Sequence, residues 1–150
     1  MLNELEWRGL LHQTTAGDEL IKHLSTPGRV AYCGFDPTSD SLTIGNFIQI
    51  KLLMHWQRSG HKPIVVMGGG TGMIGDPSGK SNERNLLDEA TLEKNVKGVK
   101  KTLERFIDFS GDLDNSAEMV NNYDWMKDLT FLEFARDIGK HITVNYMMAK

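Results

Sequence analysis

The sequence predicts an α/β fold built on a parallel sheet, and three features carry that prediction. Two short apolar runs, Val30 to Phe35 and Pro63 to Met67, are of the kind buried on both faces of a parallel sheet. Between them lies a stretch of helical period, so strand, helix and strand make one βαβ unit. Directly after the second run comes a glycine-rich segment, at the strand end where open α/β sheets place their ligands.

The elements follow in chain order. Leu2 to Leu11 and Ala16 to Leu24 have helical spacing, and Pro27-Gly28 punctuates the chain before the first strand. The turn-forming stretch Asp36-Pro37-Thr38-Ser39-Asp40-Ser41 leads to a helix over about Ile44 to Ser59, with Ile44, Phe47, Ile48, Leu52 and Trp56 read as its apolar face and Gly60 as its end. Gly68 to Asn85 holds six glycines and a proline in eighteen positions, which reads as a functional loop rather than an ordinary connection. Leu92, Val96, Val99, Leu103, Phe106 and Ile107 keep the helical period, with lysines at 94, 97, 100 and 101 on a solvated opposite face. Met119-Val120 reads as a short strand. Thr130 and Glu133 have capping-box spacing and open a helix that Gly139 closes.

Bulk composition bounds the function. At 150 residues, 39% hydrophobic and 25% charged, the chain has the size and make-up of one globular domain, without repeats or low-complexity segments. A formal charge of -3 argues against a strongly basic nucleic-acid module. The single cysteine, Cys33, gives no sign of an oxidising compartment. No apolar run approaches the roughly 20 residues that span a bilayer, and Met1 to Arg8 lacks a signal-peptide layout, so a cytoplasmic protein without membrane contact is expected.

Three phosphate-loop readings compete. Gly70-Thr71-Gly72-Met73-Ile74-Gly75 is a literal G-x-G-x-x-G after a strand, but the motif needs a helix opening within the glycines, and Asp76-Pro77-Ser78-Gly79 continues turn chemistry instead. Gly75 to Ser81 approaches a P-loop, yet three residues separate Gly75 from Gly79 where four are needed. The third reading joins the loops at the ends of two neighbouring strands. Thr38, Thr43 and the amides of the helix starting near Ile44 approach phosphates from one side, Lys80 and Arg84 from the other. Gly34 and Gly45 let the backbone come close to a nucleotide.

Four ordered blocks resemble bacterial tyrosyl-tRNA synthetases, which are class I aminoacyl-tRNA synthetases. They are Tyr32-Cys33-Gly34-Phe35-Asp36-Pro37-Thr38 with Ser41-Leu42-Thr43-Ile44-Gly45-Asn46; Gly72 to Lys80 with Glu83-Arg84; Asn121-Asn122-Tyr123-Asp124-Trp125; and Gly139-Lys140-His141 with Val144 to Lys150. The resemblance implies a Rossmann-like nucleotide-binding fold with a parallel sheet, incomplete because it is the front half of the catalytic domain. It implies that Tyr32 and Asp76 bind the tyrosine substrate through its phenol and ammonium groups. It implies ATP contacts from Cys33, Gly34, Asp36, Thr38, Thr43, Gly45 and Asn46, with Thr38, Thr43, Asn46, Lys80 and Arg84 serving catalysis. ATP is a substrate here, Mg2+ accompanies it without an assigned protein ligand, and no metal site is expected in the chain itself.

The implied reaction is attack of the tyrosine carboxylate on the α-phosphate of ATP, then transfer from tyrosyl-adenylate to tRNA(Tyr). It needs positioned donors and no covalent nucleophile. The family's His-x-Gly-His signature reads Thr43-Ile44-Gly45-Asn46 here, so Thr43, shorter than imidazole, reaches phosphate only through water. Residues 1–150 are expected to be the N-terminal portion of the catalytic domain, with the anticodon-binding and S4-like domains absent and the chain weak or inactive by itself. The family implies a homodimer. The alternatives are a stand-alone nucleotide-binding paralogue and, on Gly70 to Gly75, a dinucleotide-binding domain.

Overall fold

The computed structural model describes residues 1–14, 16–74 and 88–148. Asp76, Lys80, Arg84 and the P-loop-like stretch from Gly75 to Ser81 therefore lie outside the described residues. After two short helices, α1 (Leu2–Trp7) and α2 (Asp18–Leu24), the chain enters β1 (Val30–Phe35), α3 (Ile44–Arg58) and β2 (Lys62–Met67). A six-residue helix, α4 (Gly69–Ile74), comes next, and beyond the undescribed segment follow α5 (Glu89–Leu103), β3 (Glu118–Asn121) and α6 (Tyr123–Met126).

The three strands form one parallel sheet in the order β1-β2-β3. Two left-handed glycines set its register. Gly28 and Gly60, with φ of 78° and 81°, turn the chain into β1 and β2. The Gly28 N–H donates to the Gly60 carbonyl at 2.9 Å, and the Lys62 N–H to the Arg29 carbonyl at 2.8 Å. Val30 is thereby aligned with Lys62, and Phe35 with Met67.

Strand alternation sorts the sheet into two unlike faces. Phe35, Val65 and Met67 point to a core closed by Ile50, Leu53 and Met54 of α3 and by Val99, Leu103 and Ile107 of and after α5. Val30 and Tyr32 stand on the opposite face and are exposed. The stripe expected for α3 is displaced: Ile44 and Ile48 are exposed, while Ile50, Leu53 and Met54 are buried. Apolar and polar residues are mixed around this helix, so its period does not choose a face, and the sheet does. The expected stripe holds at Leu92, Val99 and Leu103 of α5 and at Ile107 beyond its end, but Phe106, also past the helix, is partly exposed and meets Phe47 edge-to-face at 5.4 Å.

Gln57 of α3 fixes the connection between α5 and β3. Its Nε2 donates to the Asp108 and Asn115 carbonyls at 2.8 and 3.2 Å, and its Oε1 accepts from the Asp108 N–H at 2.9 Å. The capping box at Thr130 and Glu133 forms as expected and opens α7 (Phe131–Glu133). Gly139 does not close it. The helix continues as a π-helical turn, Phe134–Ile138, then a 3-10 turn, Gly139–His141, before α8 (Val144–Met148), because Gly139 keeps right-handed torsions (φ -58°) rather than a left-handed cap. Among the described residues no helix is long and apolar enough to cross a membrane.

His61, 2% exposed, stacks on Trp56 at 4.7 Å, and burial pushes its pKa below the usual 6.5. The fold favours the neutral ring, so as pH falls the unfolded chain takes up the proton first. The His61 contribution to stability is thus full above about pH 6.5 and is lost as pH drops below it. The urea midpoint is expected to be lower at pH 5.5 than at 7.5, with the difference reduced in His61→Phe; an equal difference in both proteins would remove His61 as its cause.

Candidate active site

The site lies where the three strands end, and hydrogen bonds between the exits hold it together. The Gly68 N–H, leaving β2, donates to the Phe35 carbonyl at the end of β1 at 2.9 Å. The Asn122 N–H, leaving β3, donates to the Met67 carbonyl at 3.0 Å. The Asn121 and Asn122 side-chain oxygens then accept from the Gly69 and Gly70 N–H groups at 3.2 and 2.7 Å. The fit leaves no room for side chains: a Cβ on Gly69 would overlap Asn121 Oδ1, and one on Gly68 would come within 2.5 Å of Asp36 Oδ1.

These contacts correct one expectation. A helix does open within the glycines, since α4 begins at Gly69 directly after β2. The dinucleotide reading gains nothing from it. The Gly69 and Gly70 amides, which such a turn would aim at a pyrophosphate, are already taken by Asn121 and Asn122.

Thr43 and Asn46, the positions of the altered signature, touch each other. Thr43 is the N-cap of α3, and both its N–H and its hydroxyl donate to Asn46 Oδ1, at 3.1 and 2.9 Å. Asn46 so used keeps its Nδ2 hydrogens for another acceptor. The cap predicts that Thr43→Ala lowers folding stability by about 1 kcal/mol in chemical denaturation; an unchanged midpoint would show the cap to be inert. At Gly45 a Cβ would meet only Thr43 Oγ1 at 3.6 Å, so the start of α3 has open space beside Gly45.

The remaining expected residues divide between the two faces of the sheet. Tyr32 and Gly34 are exposed on the face opposite the core, with Tyr32 76% accessible. Cys33 sits on the α3 side, half-buried against the core, and burial pushes its thiol pKa up. Asp36 and Thr38 are exposed on the loop leaving β1, flanking buried Pro37. Among the described residues no group of three or more His, Cys, Asp or Glu side chains could hold a metal ion.

Four residues with structural parts in the site had been given none from the sequence: Asn121, Asn122, Asn95 and Gly98. The signal for Asn95 was present, since it occupies the Leu92–Val99 stripe of α5 where a polar side chain needs a partner. Its Nδ2 donates to the Pro37 carbonyl at 2.9 Å. One turn further on, Gly98 abuts the Asp40 backbone, and Lys94 pairs with Asp40 at 3.8 Å.

Residues 26–150 match the family described as tRNA synthetases class I (W and Y). The whole chain is 60% identical to a tyrosine--tRNA ligase of Flavobacterium psychrophilum, covering 34% of it. It is 58% identical, over 99% of its length, to the Bacteroides fragilis tyrosine--tRNA ligase, again covering 34% of that protein. It thus spans about a third of the length of the curated relatives it matches. Among solved structures it is similar to a C-terminally truncated mitochondrial tyrosyl-tRNA synthetase of Coccidioides posadasii, with TM-score 0.78 and 26% identity, covering 99% of this chain and 42% of that one. An Archaeoglobus fulgidus tyrosyl-tRNA synthetase solved with L-tyrosine, at 18% identity and TM-score 0.52 over 87% of this chain and 37% of that one, shares the fold.

Proposed function

We propose, for a chain that belongs to the class I tRNA synthetases of the W and Y group, that it is the N-terminal portion of a catalytic domain that activates L-tyrosine with ATP. In the protein of its relatives' length, a tyrosine carboxylate oxygen attacks the α-phosphorus of ATP. The bond from that phosphorus to the pyrophosphate oxygen breaks, and tyrosyl-adenylate then gives its acyl group to tRNA(Tyr). Mg2+ arrives with ATP, and no protein ligand is assigned to it. The anticodon-binding and S4-like domains lie outside these residues, and the enzyme works as a cytoplasmic homodimer.

Each residue has chemistry suited to its proposed task. The Tyr32 phenol exchanges hydrogen bonds with the substrate phenol, and Asp76 pairs with its ammonium group. Gly34, Asp36 and Gly45 line the nucleotide, and Cys33 and Asn46 contact its ribose. Thr38 and Thr43 act near the γ-phosphate, and Lys80 and Arg84 draw charge onto the leaving pyrophosphate. The observation that carries the reading is that the loop leaving β1, which leads into the Thr43-capped N-terminus of α3, starts against the Gly68 end of β2. The tyrosine assignment within the W and Y group draws on Tyr32 and on the 58–60% identical relatives named for tyrosine.

Because Tyr32 is exposed, Tyr32→Phe removes one hydroxyl at little cost to the fold. Calorimetry on the full-length protein is expected to show tyrosine binding weakened roughly two- to tenfold, the worth of one hydrogen bond, with ATP affinity unchanged. Equal tyrosine affinity in both proteins would refute the role of Tyr32. Absence of tyrosine binding in the unmodified protein would refute the function.

A further inference from the structure

We infer that Asn95 is a positioning residue, whose buried amide holds the β1–α3 loop in the conformation that receives the ATP phosphates. The inference rests on the ATP-binding reading above and adds a residue of α5 that touches the loop from the protein's interior.

Lys94, Asn95 and Gly98 of α5 all contact this loop, with Gly98 one turn beyond the other two. Lys94 pairs with the Asp40 carboxylate at 3.8 Å, the Asn95 Nδ2 donates to the Pro37 carbonyl at 2.9 Å, and Gly98 admits the Asp40 backbone where any side chain would collide. They differ in weight. The Lys94 pair is exposed on both sides and worth little. Asn95 is 5% exposed, so a lost partner there leaves a carbonyl without a donor and away from water. That carbonyl belongs to Pro37, itself buried and directly before Thr38. Between Pro37 and the Thr43 cap the loop's other side-chain bonds are local, Ser39 Oγ donating to the Ser41 carbonyl at 2.8 Å and accepting from the Ser41 N–H at 3.3 Å. Local bonds shape a turn but do not fix it to the body of the protein. The side chain that fixes Thr38 from outside is Asn95, and the planar peptide that joins the Pro37 carbonyl to the Thr38 nitrogen carries that restraint to the threonine.

The test uses pyrophosphate exchange by the full-length protein, with Asn95→Ala and the conservative Asn95→Gln. Expected for Asn95→Ala are a KM for ATP raised on the order of tenfold and a lowered kcat, with the KM for tyrosine unchanged. Asn95→Gln, which restores a donor, is expected to recover at least part of the ATP effect. A lowered Tm with both KM values unchanged would make Asn95 merely structural and overturn the inference. So would equal losses for ATP and tyrosine. If Asn95→Ala does not fold, Asn95→Ser, with a smaller change in packing, is read by the same split between the two KM values. An unmodified protein that shows no tyrosine-dependent exchange would refute the enzyme reading itself, whereas an active protein indifferent to Asn95 refutes only this inference.

Discussion

Gly98→Val is expected to cost about 3 kcal/mol or more of folding free energy, although Gly98 lies inside a helix where glycine is normally the weakest ordinary choice. Helix propensity alone would make a larger residue favourable by a few tenths to about 1 kcal/mol. Packing decides otherwise. A Cβ at this position overlaps the Asp40 carbonyl oxygen and stands 2.8 Å from the Asp40 carbonyl carbon, both backbone atoms that no rotamer change can move aside. Overpacking of this kind costs roughly 1–3 kcal/mol, and a branched side chain against a fixed backbone belongs at or above the upper end. The loop from Asp36 to Thr43 must then separate from α5 or the helix must shift. Chemical denaturation measures the loss, and a variant as stable as the parent would show that the two segments do not pack as described.

Phe35→Ala is expected to cost about 3–5 kcal/mol, the usual range for deleting a buried aromatic ring. Phe35 is 2% exposed and ends β1, packed with Val65, Met67 and the inner faces of α3 and α5. The damage would not stay in the core. The Phe35 carbonyl accepts from the Gly68 N–H at 2.9 Å, so a cavity beneath it loosens the bond between the β1 and β2 exits. Phe35→Leu keeps most of the volume and should lose clearly less. A loss below about 1 kcal/mol for Phe35→Ala would place the ring outside a close-packed core.

Local signals carried much of this fold, and long-range packing carried the rest. Val30 to Phe35 was legible to the residue as a strand, because an apolar run bounded by Pro27-Gly28 and Asp36-Pro37 has few other solutions. The capping box at Thr130 was legible for the same reason, as four consecutive residues suffice to make it. The inward face of α3 was not, since Ile44, Ile48 and Leu52 look as apolar as Ile50, Leu53 and Met54 until a sheet is placed against one side. Nor was α4. Gly69-Gly70 has almost no helix propensity of its own, and its first amides are satisfied by Asn121 and Asn122, more than fifty residues later in the chain. The candidate site divides the same way. Thr43 and Asn46 were identified from a short motif, whereas Asn95 and Gly98 act on a loop more than fifty positions earlier, a relation visible only once the chain has folded.

The proposed function places these residues in a site that joins tyrosine to ATP. Its most direct test is amino-acid-dependent exchange of labelled pyrophosphate into ATP by the protein of its relatives' full length. The expected result is exchange that requires tyrosine and is not supported by tryptophan or phenylalanine. Exchange driven by tryptophan, or no exchange with any of the three by a folded protein, would contradict it.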